Sequence, residues 1–145
     1  MRGNMEEYKV PRRRLYDKDT IPAIGMGTFG SDKYGPGQVA QAVYGGIRAG
    51  YRLIDCAAVY QNEDKIGEAL ERVIAEGSVE REDLFIASKV WNDMHGEGKV
   101  AESCEKSLRD LHLSYLDLYF IHWPFPNYHA PGCDGDSRNP DSRPF

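Results

Sequence analysis

The sequence predicts an α/β fold built on a parallel sheet. Short apolar runs of strand character alternate with amphipathic stretches of helical period. Glycine, proline and asparagine punctuate the segments between them. With 145 residues, 41% of them hydrophobic, the chain is long enough to bury the core of one domain.

Each element follows from its own pattern. Arg14-Leu15-Tyr16 and Thr20 to Ile24 flank Asp17-Lys18-Asp19 and read as a hairpin with a polar turn. The run Arg12-Arg13-Arg14 suits a solvated hairpin edge protected by charge. Ile24 to Phe29 is the first buried strand. Gln38 to Ala49 carries Val39, Val43 and Ile47 at i, i+4 and i+8, with Pro36 near its start and Gly50 past its end, which predicts a helix. Tyr51 to Ala57 is the second strand. Asn62 is placed to cap a helix whose Ile66, Ala69, Leu70, Val73 and Ile74 share one face, ended by Gly77. Leu84 to Val90 and Leu116 to Trp123 are the third and fourth strands, and Val100, Cys104, Leu108 and Leu111 mark the helix between them. Pro124 to Phe145 has no core-forming period and reads as a long loop.

Composition excludes some functions. A formal net charge of −5 argues against a nucleic-acid groove or an anionic membrane surface as the partner. No apolar run approaches the roughly 20 residues that cross a bilayer. Met1 to Glu7 has charge but no apolar stretch behind it, so no secretory leader is expected, and Met5 is an alternative start. Three cysteines with no Cys-x-x-Cys predict free thiols and a cytoplasmic location. His129, Cys133 and Asp134 lack paired ligands at metal spacing and read as loop residues, so no metal is expected.

Gly25-Met26-Gly27-Thr28-Phe29-Gly30 matches a G-x-G-x-x-G run after a strand, with Asp55 ending the next one. In a dinucleotide-binding Rossmann unit the helix must begin on those glycines, so that its amides face the pyrophosphate. Here Ser31 to Pro36 intervene and the helix starts too late. The remaining reading is that the glycines permit close packing where a strand leaves the sheet.

Three polar residues at strand ends decide between these. Asp55, Lys89 and His122 close the second, third and fourth strands. Their i−2 neighbours Leu53, Ala87 and Phe120 are apolar, so all three are expected on inward, core-facing tracks at equivalent heights. Burying such groups is costly unless they satisfy one another. Tyr60, five positions past Asp55, can lean over the same mouth. Taken singly, each has a structural reading: a salt bridge, a core histidine, a packing tyrosine. Gathered at the C-terminal mouth of a parallel barrel, they read as catalytic.

The stretch Gly50-Tyr51-Arg52-Leu53-Ile54-Asp55-Cys56-Ala57-Ala58-Val59-Tyr60-Gln61-Asn62-Glu63 resembles the most recognisable signature of the aldo-keto reductases. Arg81 to Trp91 and Leu116-Asp117-Leu118-Tyr119-Phe120-Ile121-His122-Trp123-Pro124 resemble the family's next two signatures, in order. Ile21 to Phe29 resembles its hairpin and first strand. The resemblance implies the N-terminal half of a (β/α)8 TIM barrel with a β-hairpin at its base, roughly four parallel strands and three helices, the barrel incomplete. It implies an extension over residues 1–11, a partial barrel over 12–124, and a long loop over 125–145 with a truncated end.

It also implies carbonyl reduction with NADPH. Tyr60 would donate the proton, Lys89 would place an ammonium beside the phenol, Asp55 would hold Lys89, and His122 would orient the carbonyl. Gly27, Thr28, Phe29 and Asp55 would border the cofactor; Phe29, Trp91 and Trp123 would wall the substrate, with Phe29 where many relatives carry tryptophan. The expected partner is a small-molecule carbonyl compound, sugar-like or otherwise, reduced to an alcohol. A whole barrel takes roughly 250 residues, so the expectation is the N-terminal portion of a longer reductase, with little activity alone. A catalytically silent half-barrel acting as an assembly or regulatory subunit is the alternative. Open sheet edges and an exposed inner face are expected to favour self-association.

Overall fold

The computed structural model describes residues 10–16, 19–125, 128, 129 and 140; Asp17 and Lys18 of the hairpin turn, and Cys133 and Asp134, lie outside these. The hairpin pairs β1 (Arg12–Arg14) with β2 (Thr20–Pro22) in antiparallel register, Arg13 opposite Ile21. All three arginines are exposed, and Arg12 Nε donates to Thr20 Oγ1 at 2.7 Å.

A four-stranded sheet follows, in the order β3 (Met26–Gly27), β4 (Leu53–Asp55), β5 (Phe85–Val90) and β6 (Leu118–Ile121), every neighbour parallel. The crossovers are α1 (Pro36–Arg48), α2 (Glu63–Ala75) and α3 (Lys99–Asp110). Pro36 opens α1, while Gln38 Oε1 accepts the Gly35 amide at 3.0 Å. Gly50 and Gly77 follow the ends of α1 and α2 at φ 114° and 72°. The sheet does not close on itself among the described residues. It is an α/β partial barrel.

The helix after the glycine run begins at Pro36, two residues before the predicted Gln38 and, as expected, not on the glycines themselves. A Cβ at Gly25 would stand 2.5 Å from Leu53 Cδ2, and one at Gly30 would stand 2.5 Å from the Tyr34 carbonyl oxygen. These glycines serve close packing.

The two faces of the sheet have opposite fates, and the inner one is open, as expected. Ile54, Cys56 and Ile86 point at the helices and are fully buried against Val43 and Ile47 of α1 and Ile66, Leu70 and Val73 of α2. The track of Leu53, Ala87 and Phe120 lies on the other face, around an open cavity of about 480 Å³. Phe120 is 42% exposed and Ile121 on the edge strand 65% exposed. The buried core of the described residues is therefore the helix side, because three helices cover that face and no strand or helix covers the inner one.

The third helix departs from the predicted stripe. Val100 is 39% exposed and Cys104 and Leu108 are half-buried, whereas Ser103 and Ser107 are buried beside Leu111. Tyr119 on β6 donates to Ser103 Oγ at 3.0 Å, and Ser107 donates to Glu63 Oε2 at 2.8 Å. Polar partners on β6 and α2 turned this helix by one position relative to its apolar pattern. Asn62 is the N-cap residue of α2, but its side chain does not cap the helix; its amide donates to the Thr28 carbonyl at 2.8 Å instead.

Candidate active site

The register of the sheet positions the polar residues. Asp55 stands opposite Ala87, and Lys89 stands opposite Phe120, so each polar group lies two residues beyond the last along the ladder. Equivalent heights on the ladder were expected; the strands are staggered instead. A two-residue step preserves the face, because side chains alternate with period two. Stagger of this kind is how a barrel tilts its strands. The long lysine side chain spans the step.

Lys89 Nζ meets Asp55 Oδ1 at 2.8 Å and donates to the Cys56 carbonyl at 2.8 Å. The partners differ in access: the Lys89 side chain is 13% exposed and that of Asp55 41%. Thr28, itself 1% exposed, donates its hydroxyl to the Asp55 carbonyl at 2.9 Å, tying the end of β3 to the end of β4. Its hydroxyl is thus engaged in the frame. Gly27 borders the cavity, and a Cβ there would meet no atom within 4 Å.

Tyr60 reaches the site from a short helical turn, Ala58–Tyr60, that follows β4. The ammonium of Lys89 lies 5.4 Å from its ring centre. His122, held by its amide on the Val90 carbonyl at 3.1 Å, presents its ring edge-on to Tyr60 with centroids 5.7 Å apart. Burial, reinforced by the Lys89 charge, lowers the His122 pKa below its ordinary 6.5, against a smaller upward pull from Asp55. Near neutral pH the imidazole is uncharged and has one N–H to give. Its buried Nδ1 has no hydrogen-bond partner among the described residues.

Aromatic rings surround this mouth. Phe29, 69% exposed, lies 5.2 Å from Tyr60. Trp91 stands edge-on to both His122 and Trp123, each at 5.1 Å. The structure therefore gathers Asp55, Tyr60, Lys89 and His122 on one side of the sheet, with Phe29, Trp91 and Trp123 around them. Among the described residues no three His, Cys, Asp or Glu side chains converge as a metal site would require. No helix among them is long and apolar enough to cross a membrane.

Two polar assemblies escaped the sequence reading. Glu63, 4% exposed, accepts from Ser88 Oγ at 2.5 Å and from Ser107 at 2.8 Å, linking α2, β5 and α3 behind the site. Burial raises its pKa, and the two hydroxyls oppose that rise. Alternation along β5 places Ser88 on the helix side, which was the available clue. The other is the Asn92–His129 pair at 3.2 Å; His129 was read as an ordinary loop residue and is only 2% exposed. Nothing in the loop's pattern marked it.

Comparison with known proteins agrees with this geometry. The Aldo/keto reductase family profile matches residues 23–135. "Aldose reductase B" of Dictyostelium discoideum is 53% identical over 104 residues, which are 72% of this chain and 33% of that protein. "Aldo-keto reductase family 1 member A1-A" of Danio rerio is 52% identical over 105 residues, again 72% of this chain and 32% of the relative. The crystal structure of a Bombyx mori aldo-keto reductase in complex with NADP superposes with a TM-score of 0.80 at 41% identity, covering 90% of this chain and 42% of that one. The chain thus spans about a third of the length of these two curated relatives. It belongs to the aldo/keto reductase family.

Proposed function

We propose that this chain contributes the proton-transfer half of a carbonyl-reducing site that uses NADPH and turns aldehydes or ketones into alcohols. The observation that carries the reading is the Asp55–Lys89 pair at 2.8 Å with the Tyr60 ring beside the ammonium. Tyr60 holds the proton that passes to the carbonyl oxygen as negative charge develops there. Lys89 stabilises the oxygen that gives it up, and Asp55 keeps the ammonium in place. The neutral His122 donates to the same carbonyl oxygen and orients it. Phe29, Trp91 and Trp123 exclude water around the reacting carbon.

The mouth fits a nicotinamide. The buried Nδ1 of His122 is unpartnered beside a cavity whose Leu53, Leu118 and Phe120 walls are apolar, and backbone at Gly27 leaves open space for a flat ring. Gly27, Thr28, Phe29 and Asp55 would border it. Reduced nicotinamide, when bound, supplies the hydride. The Bombyx mori structure with NADP supports that choice of cofactor.

The test joins the full chain to the part of the Bombyx mori reductase that lies beyond the matched length, and follows NADPH oxidation by an aldehyde. Turnover is expected, and Tyr60→Phe is expected to lower it by about 10²-fold or more. Turnover indifferent to both Tyr60→Phe and Lys89→Met would overturn the reading.

A further inference from the structure

We infer that His129 is a positioning residue, which pins the loop after β6 to the end of β5 and so sets the Trp91–Trp123 wall. The pin rests on a ring stack and a hydrogen bond, independent of any reaction; that the wall faces substrate rests on the reading above.

The loop has no regular structure of its own among the described residues, yet His129 is 2% exposed. A buried imidazole has to find partners for both its face and its nitrogens. Its face lies on Trp91, with centroids 4.9 Å apart and planes only 18° from parallel. Its Nδ1 lies 3.2 Å from the amide nitrogen of Asn92, a residue with no exposure at all. With its proton on Nε2, the imidazole accepts from that amide. One loop side chain thereby makes a stack and a hydrogen bond to two consecutive residues at the end of β5.

Neighbouring rings close the arrangement. Tyr128 stands edge-on to His129 at 4.9 Å, and Trp123 lies 5.6 Å from it. Phe125 reaches Trp123 at 6.4 Å and Tyr128 at 5.8 Å. Trp91 is thus held between the loop on one side and His122 on another, the latter at 5.1 Å. An irregular loop opens easily unless something ties it to a rigid element. Here β5 is the rigid element and His129 is the tie. Without it, Trp91 loses the ring on its face, the loop lifts, and the wall widens.

The pin is testable without turnover, in the 145-residue chain labelled with fluorotryptophan. The chain has two tryptophans, so two fluorine resonances are expected, assigned by Trp123→Phe. His129→Ala is expected to shift and broaden the Trp91 resonance more than that of Trp123. It is also expected to speed hydrogen exchange of the Tyr128 amide, which donates to the Phe125 carbonyl at 3.3 Å, by about tenfold or more. His129→Asn, which keeps an acceptor for the Asn92 amide, should recover slow exchange in part. His129→Phe keeps the stack and loses the acceptor, so the Trp91 resonance should stay near its original position while exchange speeds up. A Trp91 resonance and an exchange rate both unchanged in His129→Ala overturn the pin. If that variant loses its helical circular dichroism, exchange unchanged in His129→Phe overturns it instead.

In the joined reductase, His129→Ala is expected to raise KM for an aromatic aldehyde several-fold while kcat changes by less than about twofold, with His129→Asn restoring KM. A fall in kcat at unchanged KM overturns the role assigned to the wall. If Tyr60→Phe and Lys89→Met both leave turnover intact, the carbonyl-reducing reading fails, and the resonance and exchange experiments still judge the pin.

Discussion

Lys89 reaches back along the sheet to Asp55, and their 2.8 Å contact joins two adjacent parallel strands at the rim of the cavity. The pair is asymmetric, since Lys89 is the buried partner and Asp55 the wetter one. Removing Asp55 leaves the buried ammonium, among the described residues, with the Cys56 carbonyl as its hydrogen-bond acceptor, whereas removing Lys89 leaves a carboxylate that water can hydrate.

Asp55→Ala is therefore expected to cost about 1–2 kcal/mol and Lys89→Met about 1 kcal/mol or less. Urea unfolding of the two variants beside the parent chain checks the order. Equal losses, or a larger loss for Lys89→Met, would contradict the burial argument.

His122 titrates below 6.5 because burial, and then the Lys89 charge, disfavour its protonated form. The sign follows: its contribution to stability is complete above 6.5 and is lost as pH falls through that value towards the lower folded pKa. A histidine NMR titration should show a midpoint under 6.5, and Lys89→Met should move it upward without abolishing the shift.

Glu63 has the opposite sign for an acid. Burial raises its pKa above the ordinary 4.5, so the carboxyl keeps its proton to a higher pH in the folded chain than in the unfolded one. Its contribution is most favourable below 4.5 and declines as pH rises through the folded pKa. Glu63→Gln keeps hydrogen-bonding groups for Ser88 and Ser107 and should flatten that decline. Glu63→Ala leaves both hydroxyls unpaired and is expected to cost about 2–3 kcal/mol. Thermal unfolding across pH separates the two variants.

Gly67 marks a close approach of α2 to the end of α3. A Cβ there would stand 2.2 Å from the Asp110 carbonyl oxygen and 2.9 Å from Leu111 Cα, both backbone atoms that cannot turn aside. Gly67→Ala is expected to cost about 1–3 kcal/mol through forced separation of the helices. An unchanged midpoint in chemical denaturation would show that the helices have slack.

Much of this was legible in the chain because it is local. The i, i+4, i+8 spacing of Val39, Val43 and Ile47 predicts the buried face of α1, and all three are buried. Leu53, Ala87 and Phe120 share a track with Asp55, Lys89 and His122 because side chains on a strand alternate, whatever the strand packs against.

What needed the tertiary structure was which partner covers each face. Whether the track of Leu53 or that of Ile54 becomes the core depends on where three helices lie, and they lie over Ile54. Ser107 turns inward because the buried Glu63 carboxylate awaits it on another helix, 44 residues earlier, and Ser103 because the Tyr119 hydroxyl on β6 donates to it. His129 is buried because two residues at the end of a distant strand offer its ring a face and its nitrogen a donor. Sequence alone determined the elements and the sides of their side chains, since those follow from backbone periodicity within a few residues. Pairing between polar groups far apart in the chain is set only when folding brings them together, and no local period records it.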